Sequence, residues 1–111
     1  MFGQTVTRLR ATTTTDRYEN EVLDWTAPAR LDIDDVAVQP RARTETTAEG
    51  RTLVVSGWWL CSRPGVDIDL EAVDRIEFGD LVLEVDGEVA RWPDPSGGVH
   101  HVEAALRRVT G

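Results

Sequence analysis

The chain has 111 residues, 41% of them apolar and 29% charged, proportions that fit one soluble globular domain with a single modest core. Twenty acidic residues against twelve arginines leave a net charge of -8, a field that repels nucleic acid and argues against a protein that grips DNA by its phosphates. Cys61 stands alone, which excludes an intramolecular disulfide and a thiolate-rich zinc site, and no window holds the roughly 18 uninterrupted apolar residues of a membrane-spanning helix.

In chain order, the opening MFGQTVTRLR has no apolar stretch behind a basic start, so the expectation is a protein made and kept in the cytoplasm, with no membrane partner. Residues 4–10 and 31–39 are rich in Thr and Val and read as strands, with the TTTT of residues 12–15 as an extended segment or turn ahead of DRYEN. Residues 41–51 form a polar, Thr-rich stretch that predicts a long protruding loop. Period-two apolar alternation then predicts strands over residues 52–60, 81–85 and 99–109. Between them, APA, QP, RPG, FGD, DG and DPSGG mark turns roughly every ten residues. Asp86-Gly87, between LVLEV and EVARW, predicts a two-residue hairpin turn, and residues 69–76 (DLEAVDRI) predict at most a short helical turn started by Asp69. The fold class that follows is all-β: a small antiparallel β-barrel over residues 1–111.

Chemistry has little to work with. His100 and His101 are neighbours on a strand and should face opposite ways, so they could not share a metal without a bulge. DIDLEAVD lacks the glycine and the closing glutamate of a calcium loop. No nucleophile elbow, phosphate loop or Cys-His couple is present, so the expectation is a non-enzymatic protein with no metal and no cofactor, and Cys61 reads as a small buried side chain.

Aromatic and charged residues point instead to contacts between proteins. Trp58 and Trp59 must face opposite sides of a strand, so one belongs to the core and the other to an interface. Residues 63–90 carry nine acids against Arg63 and Arg75, whereas residues 1–15 carry Arg8 and Arg10 and no acid. Surfaces of opposite sign suit head-to-tail contacts between identical subunits, and Trp25 and Trp92 join the arginines and the tryptophan pair as interface candidates.

The order of segments carries a resemblance: TVTRLR, DRYENEVLDW, VAVQPR, a Thr/Glu-rich gap ending EGRT, VVSGWWL, RPGVDI, VDRIEFGDLVLEVDGEVARWPDP and GVHHVEAALRRV. Over nearly its whole length the chain resembles the head-to-tail stopper (head completion) proteins of long-tailed phages, and most closely those of phages of actinobacterial hosts. Glu19 stands where these proteins usually carry glycine, Val89-Ala90 where they carry Pro-Gly, and the tryptophan pair is unusual. The resemblance implies a structural virion protein of the neck. It implies a ring, six copies ahead of twelve, between the portal-adaptor complex and the tail, with the tail terminator or tail tube as the next partner. It also implies that residues 41–51 reach into the channel, where Arg41, Arg43, Thr44, Glu45, Thr46, Thr47, Glu49 and Arg51 would meet the packaged double-stranded DNA without sequence preference. A tail-terminator or adaptor subunit of the same neck, and a β-barrel binding module outside phages, stay open as alternatives.

Overall fold

Every segment with strong period-two alternation is a strand, and the strands run well beyond the alternating cores. The computed structural model describes residues 2–109, apart from the side chains of Arg43, Glu45 and Leu53. Its elements are β1 (Gln4–Thr15), β2 (Glu21–Thr47), β3 (Gly50–Ser62), β4 (Arg75–Phe78), β5 (Leu81–Val85), β6 (Ala90–Pro93) and β7 (Val99–Arg108). All pairings are antiparallel, in the order β3-β2-β1-β4-β5-β7-β6, and β3 pairs with β7 as well as with β2.

The 27 residues of β2, if straight, would span about 90 Å. The longest dimension of the molecule is 53 Å, so the strand has to bend. It bends where its register with β1 shifts, between Gln4 and Val6 and between Arg10 and Thr12, and Asp35 takes the left-handed conformation (φ 57°) inside the first irregularity.

Inward side chains meet in one core of Val6, Ile33, Val36, Val38, Leu60, Ile76, Leu83, Val85, Val102, Ala104 and Leu106. Ile68 and Leu70, from the segment joining β3 to β4, complete it. That segment is pinned from both sides: Arg91 donates to the carbonyls of Ile68 (3.3 Å) and Leu70 (2.7 Å), and Arg8 donates to the carbonyl of Asp69 (3.2 Å). Ser62, fully buried, donates to the Val66 carbonyl and accepts from the Val102 N–H, both at 2.8 Å, stitching β3 to β7 at the base of the same segment.

Three local expectations need correction. The helical turn over residues 69–76 does not form, and no helix is present among the described residues. Leu70 and Ile76 are fully buried while Val73 is exposed, so the apolar side chains lack helical spacing, and a single turn closed by Asp74 N–H to Glu71 O (3.0 Å) leads directly into β4. The second correction concerns Asp86-Gly87, which turns no hairpin. β5 pairs with β4 and β7, whereas β6 lies on the far side of β7, so the chain crosses over between them. The tight hairpin sits earlier, where Gly79-Asp80 joins β4 to β5 with Gly79 at φ 58°, the positive-φ first position of a type II′ turn.

The third correction is the long loop. Residues 41–47 pair rung by rung with residues 50–57, from Arg41↔Gly57 to Thr47↔Gly50, and only Ala48 and Glu49 form the turn. The polar stretch is a two-stranded ribbon. Thr has good strand propensity whether or not its neighbours are apolar, and a polar strand in an exposed ribbon leaves no trace of its own in a hydrophobic pattern, even where its partner does. A second ribbon joins Thr12–Thr15 residues to Glu21–Asp24 partners around the turn at residues 16–20, where the Asp16 carboxylate accepts from the N–H groups of Tyr18 (2.8 Å) and Asn20 (3.0 Å). These extensions explain a radius of gyration of 16.5 Å, against about 13 Å for a compact domain of this length.

Candidate functional site

The ribbon of residues 41–57 leaves the sheet at a defined base. β1 stops pairing with β2 at Gln4↔Val36, and β7 stops pairing with β3 at Trp58↔Leu106, so between residues 41 and 57 the ribbon has no third strand. Its side chains are polar and exposed at Thr44, Thr46, Thr47, Glu49 and Arg51. The side chains of Arg43 and Glu45 lie outside the described residues, although their backbones pair with Val54 and Thr52.

Arg41 differs from the rest of the expected gate residues. Its guanidinium donates to Asp86 (3.0 Å) and to the Leu106 carbonyl (3.3 Å), and lies 5.4 Å from the ring centre of Trp59. It is a clamp at the ribbon's base, not a group on its tip. Gly57 makes the clamp possible: a Cβ there would sit 2.4 Å from the Leu106 carbonyl oxygen and 2.6 Å from the Arg41 guanidinium. Ser56 is the extra residue of the bulge at this point, between the rungs Arg41↔Gly57 and Ala42↔Val55.

The tryptophans divide between faces. Trp58 is partly buried against the core, with Arg108 5.6 Å from its ring centre, while Trp59 faces out and is 49% exposed. Trp59 shares its outward face with Gln39, Cys61 and Glu103, which together line a shallow pocket of about 240 Å³. Across β7 on the same face, Trp92 is half exposed and stacks on His101 with ring centres 6.0 Å apart. Two of the aromatic interface candidates therefore flank one patch. Trp25 lies elsewhere, half-buried beneath the Arg75 guanidinium (4.1 Å) in a second depression with Leu23, Val73 and Arg107.

Arg8 and Arg10 are corrected as interface candidates. Arg8 is buried and donates to Asp69 (2.9 Å). Arg10 grips the fully buried Asp74 through Nε (2.9 Å) and Nη2 (2.8 Å), and also reaches Asp69 (3.1 Å). Asp74 in turn accepts from the Glu71 N–H (2.8 Å). Pairing with Asp74, then Asp69, pushes the Arg10 guanidinium above its ordinary range, and the hydrogen bond from Arg10 holds the Asp69 carboxyl below its own. Both arginines near the start of the chain thus pair with acids of its middle segment within one subunit.

No protein-family model matches the chain, and no curated protein matches it.

The histidine pair also departs from expectation. β7 has a register irregularity against β6 between Trp92↔His101 and Pro93↔Val99, so His100 is the additional residue of a bulge. The bulge turns His100 toward its neighbour, and the two Nδ1 atoms are 2.8 Å apart. His101 Nε2 lies 3.0 Å from Glu103, and Cys61 joins both in a group whose ligand atoms fall within 4.8 Å of one another. Partial burial and the nearby Glu103 carboxylate raise the Cys61 thiol above its ordinary value. Two of the three members were legible: His101 and Glu103 are two apart on a strand and share a face. Cys61 arrives only through the rung Cys61↔Glu103, a contact between strands more than forty residues apart in sequence.

Proposed function

We propose that this protein is a head-to-tail stopper of a long-tailed phage: a ring-forming, non-enzymatic subunit of the virion neck that closes the DNA channel and presents a surface to the tail. The observation that carries the reading is the polar ribbon of residues 41–57. A free two-stranded ribbon is marginal in water and exposes two unpaired edges. Such an element gains its partners on assembly, and a ring of copies supplies them at an axis. Its exposed threonines, Thr44, Thr46 and Thr47, offer hydrogen bonds to neighbouring ribbons, and the half-exposed Val55 offers an apolar contact.

In this proposal the sheet closes as a small barrel, and the ribbon is the gate. Support for closure comes from the pairing of β3 with both β2 and β7, which joins six strands into one cycle with β6 outside it. Further support for the family comes from Glu19, which holds φ 62°, a left-handed conformation that glycine adopts without strain. Glycine is the residue that resembling proteins usually carry there. The net charge of -8 suits a channel wall past which DNA slides, since a basic wall would hold the DNA through counterion release. The portal-adaptor ring lies on one side and the tail terminator or tail tube on the other, with the half-exposed Trp59 and Trp92 available for these contacts.

A cryo-EM map of the neck of virions built with this chain tests the proposal. A ring of copies directly below the adaptor, with residues 44–49 of each copy nearest the axis, is the expected result. A ring at the tail-terminator position, or ribbons directed away from the axis, would refute it.

A further inference from the structure

We propose that Cys61, His101 and Glu103 form a binding site for a divalent transition metal, with Zn²⁺ as the ion best suited to it. Thiolate, imidazole and carboxylate are the three donor types that zinc accepts, and three protein ligands with one open position make a four-coordinate centre.

Placement of the three donors follows from backbone pairing and not from side-chain chance. Cys61 and Glu103 are direct cross-strand partners on β3 and β7, and His101 precedes Glu103 by two residues on the same face. Their ligand atoms lie within 4.8 Å of one another. A tetrahedral ion at ordinary zinc distances needs its ligand atoms roughly 3.5 Å apart. Rotation of the Cys61 and Glu103 side chains toward the fixed His101 ring would close that difference while the strands stay paired. Among the described residues Cys61 makes a single hydrogen bond, a long one to the Ser62 carbonyl (3.5 Å), so its side chain is lightly held.

The surroundings of His101 are those of a ligand held in place. Trp92 stacks on one face of its ring, and His100 Nδ1 sits 2.8 Å from its Nδ1. In the tautomer with His101 Nδ1–H donating to His100, the His101 Nε2 lone pair is free for a metal ion beside Glu103 Oε1, 3.0 Å away; in the other tautomer Nε2–H donates to Glu103 and a bound ion displaces that proton. A second-sphere partner on the other ring nitrogen is the usual companion of a metal-bound histidine. The pocket lined by Gln39, Trp59, Leu60, Cys61 and Glu103 opens beside the three donors, with room for an ion and a solvent ligand. Binding converts the Cys61 thiol to thiolate and releases its proton to solvent. The ion then ties β3 to β7 across the rung Cys61↔Glu103.

The test uses the full-length chain, reduced and stripped of metal, titrated with Co²⁺ and separately with Zn²⁺. One equivalent of Co²⁺ should give the visible bands of a four-coordinate site together with a thiolate-to-cobalt charge-transfer band. Zn²⁺ should abolish both and raise Tm by about 5 °C or more at saturating concentration. Cys61→Ser should lose the charge-transfer band and the rise in Tm. His101→Gln and Glu103→Gln, at partly exposed positions, should each weaken Co²⁺ binding by at least about tenfold while the metal-free far-UV spectrum is unchanged. These two variants also keep the test decisive if Cys61→Ser does not fold. Wild-type protein with no charge-transfer band, or folded variants that bind Co²⁺ as tightly as wild type, would overturn the assignment.

Discussion

Replacing Asp74 with alanine tests whether the Arg10 to Asp74 contact is structural cement or surface decoration. The carboxylate is fully buried, receives two hydrogen bonds from Arg10 and one from the Glu71 N–H, and so removal strands three donors at once. Breaking one side of a buried ion pair costs about 3–5 kcal/mol when the remaining charge has no other partner. Arg10 here is 28% exposed and keeps Asp69, which brings the expected loss down to about 3 kcal/mol. For a chain of this length that corresponds to a fall in Tm of roughly 12 °C. Urea denaturation followed by tryptophan fluorescence measures it, and a double-mutant cycle with Arg10→Ala should return a coupling of about 1.5–2 kcal/mol. Arg107→Ala, which removes an exposed pair with Glu84, serves as the control and should leave stability unchanged within error. A loss at Asp74 below about 0.5 kcal/mol, the size of an exposed pair, would refute the reasoning.

Ser62→Ala removes a hydroxyl that serves both Val66 and Val102 and leaves a buried N–H without a partner; a loss of about 2 kcal/mol in urea denaturation is expected. Gly57→Ala forces a Cβ to within 2.4 Å of the Leu106 carbonyl oxygen. It should cost about 2 kcal/mol or more, with faster amide exchange at the rungs between β3 and β7 as the local sign. Acid should destabilise the fold, because hydrogen bonds hold the carboxyls of Asp69 (from Arg10), Asp24 (from Thr26) and Asp94 (from Ser96) below their ordinary value. The unfolded chain therefore takes up these protons first, so their contribution is complete above about pH 4 and is lost as pH falls further. Urea midpoints measured from pH 6 to pH 3 should show that decline, and Asp69→Asn should flatten it.

Local pattern carried β1, β3, β5 and β7 because one face of each is buried: Val6, Leu60, Leu83, Val102 and Leu106 all lie inward where alternation put them. Non-local register was out of reach. Asp86-Gly87 has ideal turn chemistry, yet β6 pairs with β7, and nothing within residues 81–93 records that choice. Residues 41–47 show the opposite failure, since a polar ribbon satisfies its backbone by pairing and buries almost nothing. The same limit governs the candidate sites. Trp59 facing outward followed from alternation alone, whereas the partners of Arg8, Arg10 and Arg41 come from segments 45 to 64 residues away. Charge counts placed basic and acidic patches in the chain but could not show that they meet inside one subunit. The bulge that turns His100 toward His101 is likewise a product of pairing with β6.

The gate assignment of the ribbon is tested most directly by deleting residues 44–49 and measuring the fraction of DNA-filled, tail-joined particles. The ribbon lies beyond the last rung between β3 and β7, and none of the described side chains of these six residues belongs to the core, so circular dichroism should show a folded subunit that still joins the neck ring. Filled capsids carrying the deletion should lose their DNA before tails attach, and the fraction should fall well below wild type. A wild-type fraction of filled, tailed particles, with the shortened subunit present in the neck, would contradict it.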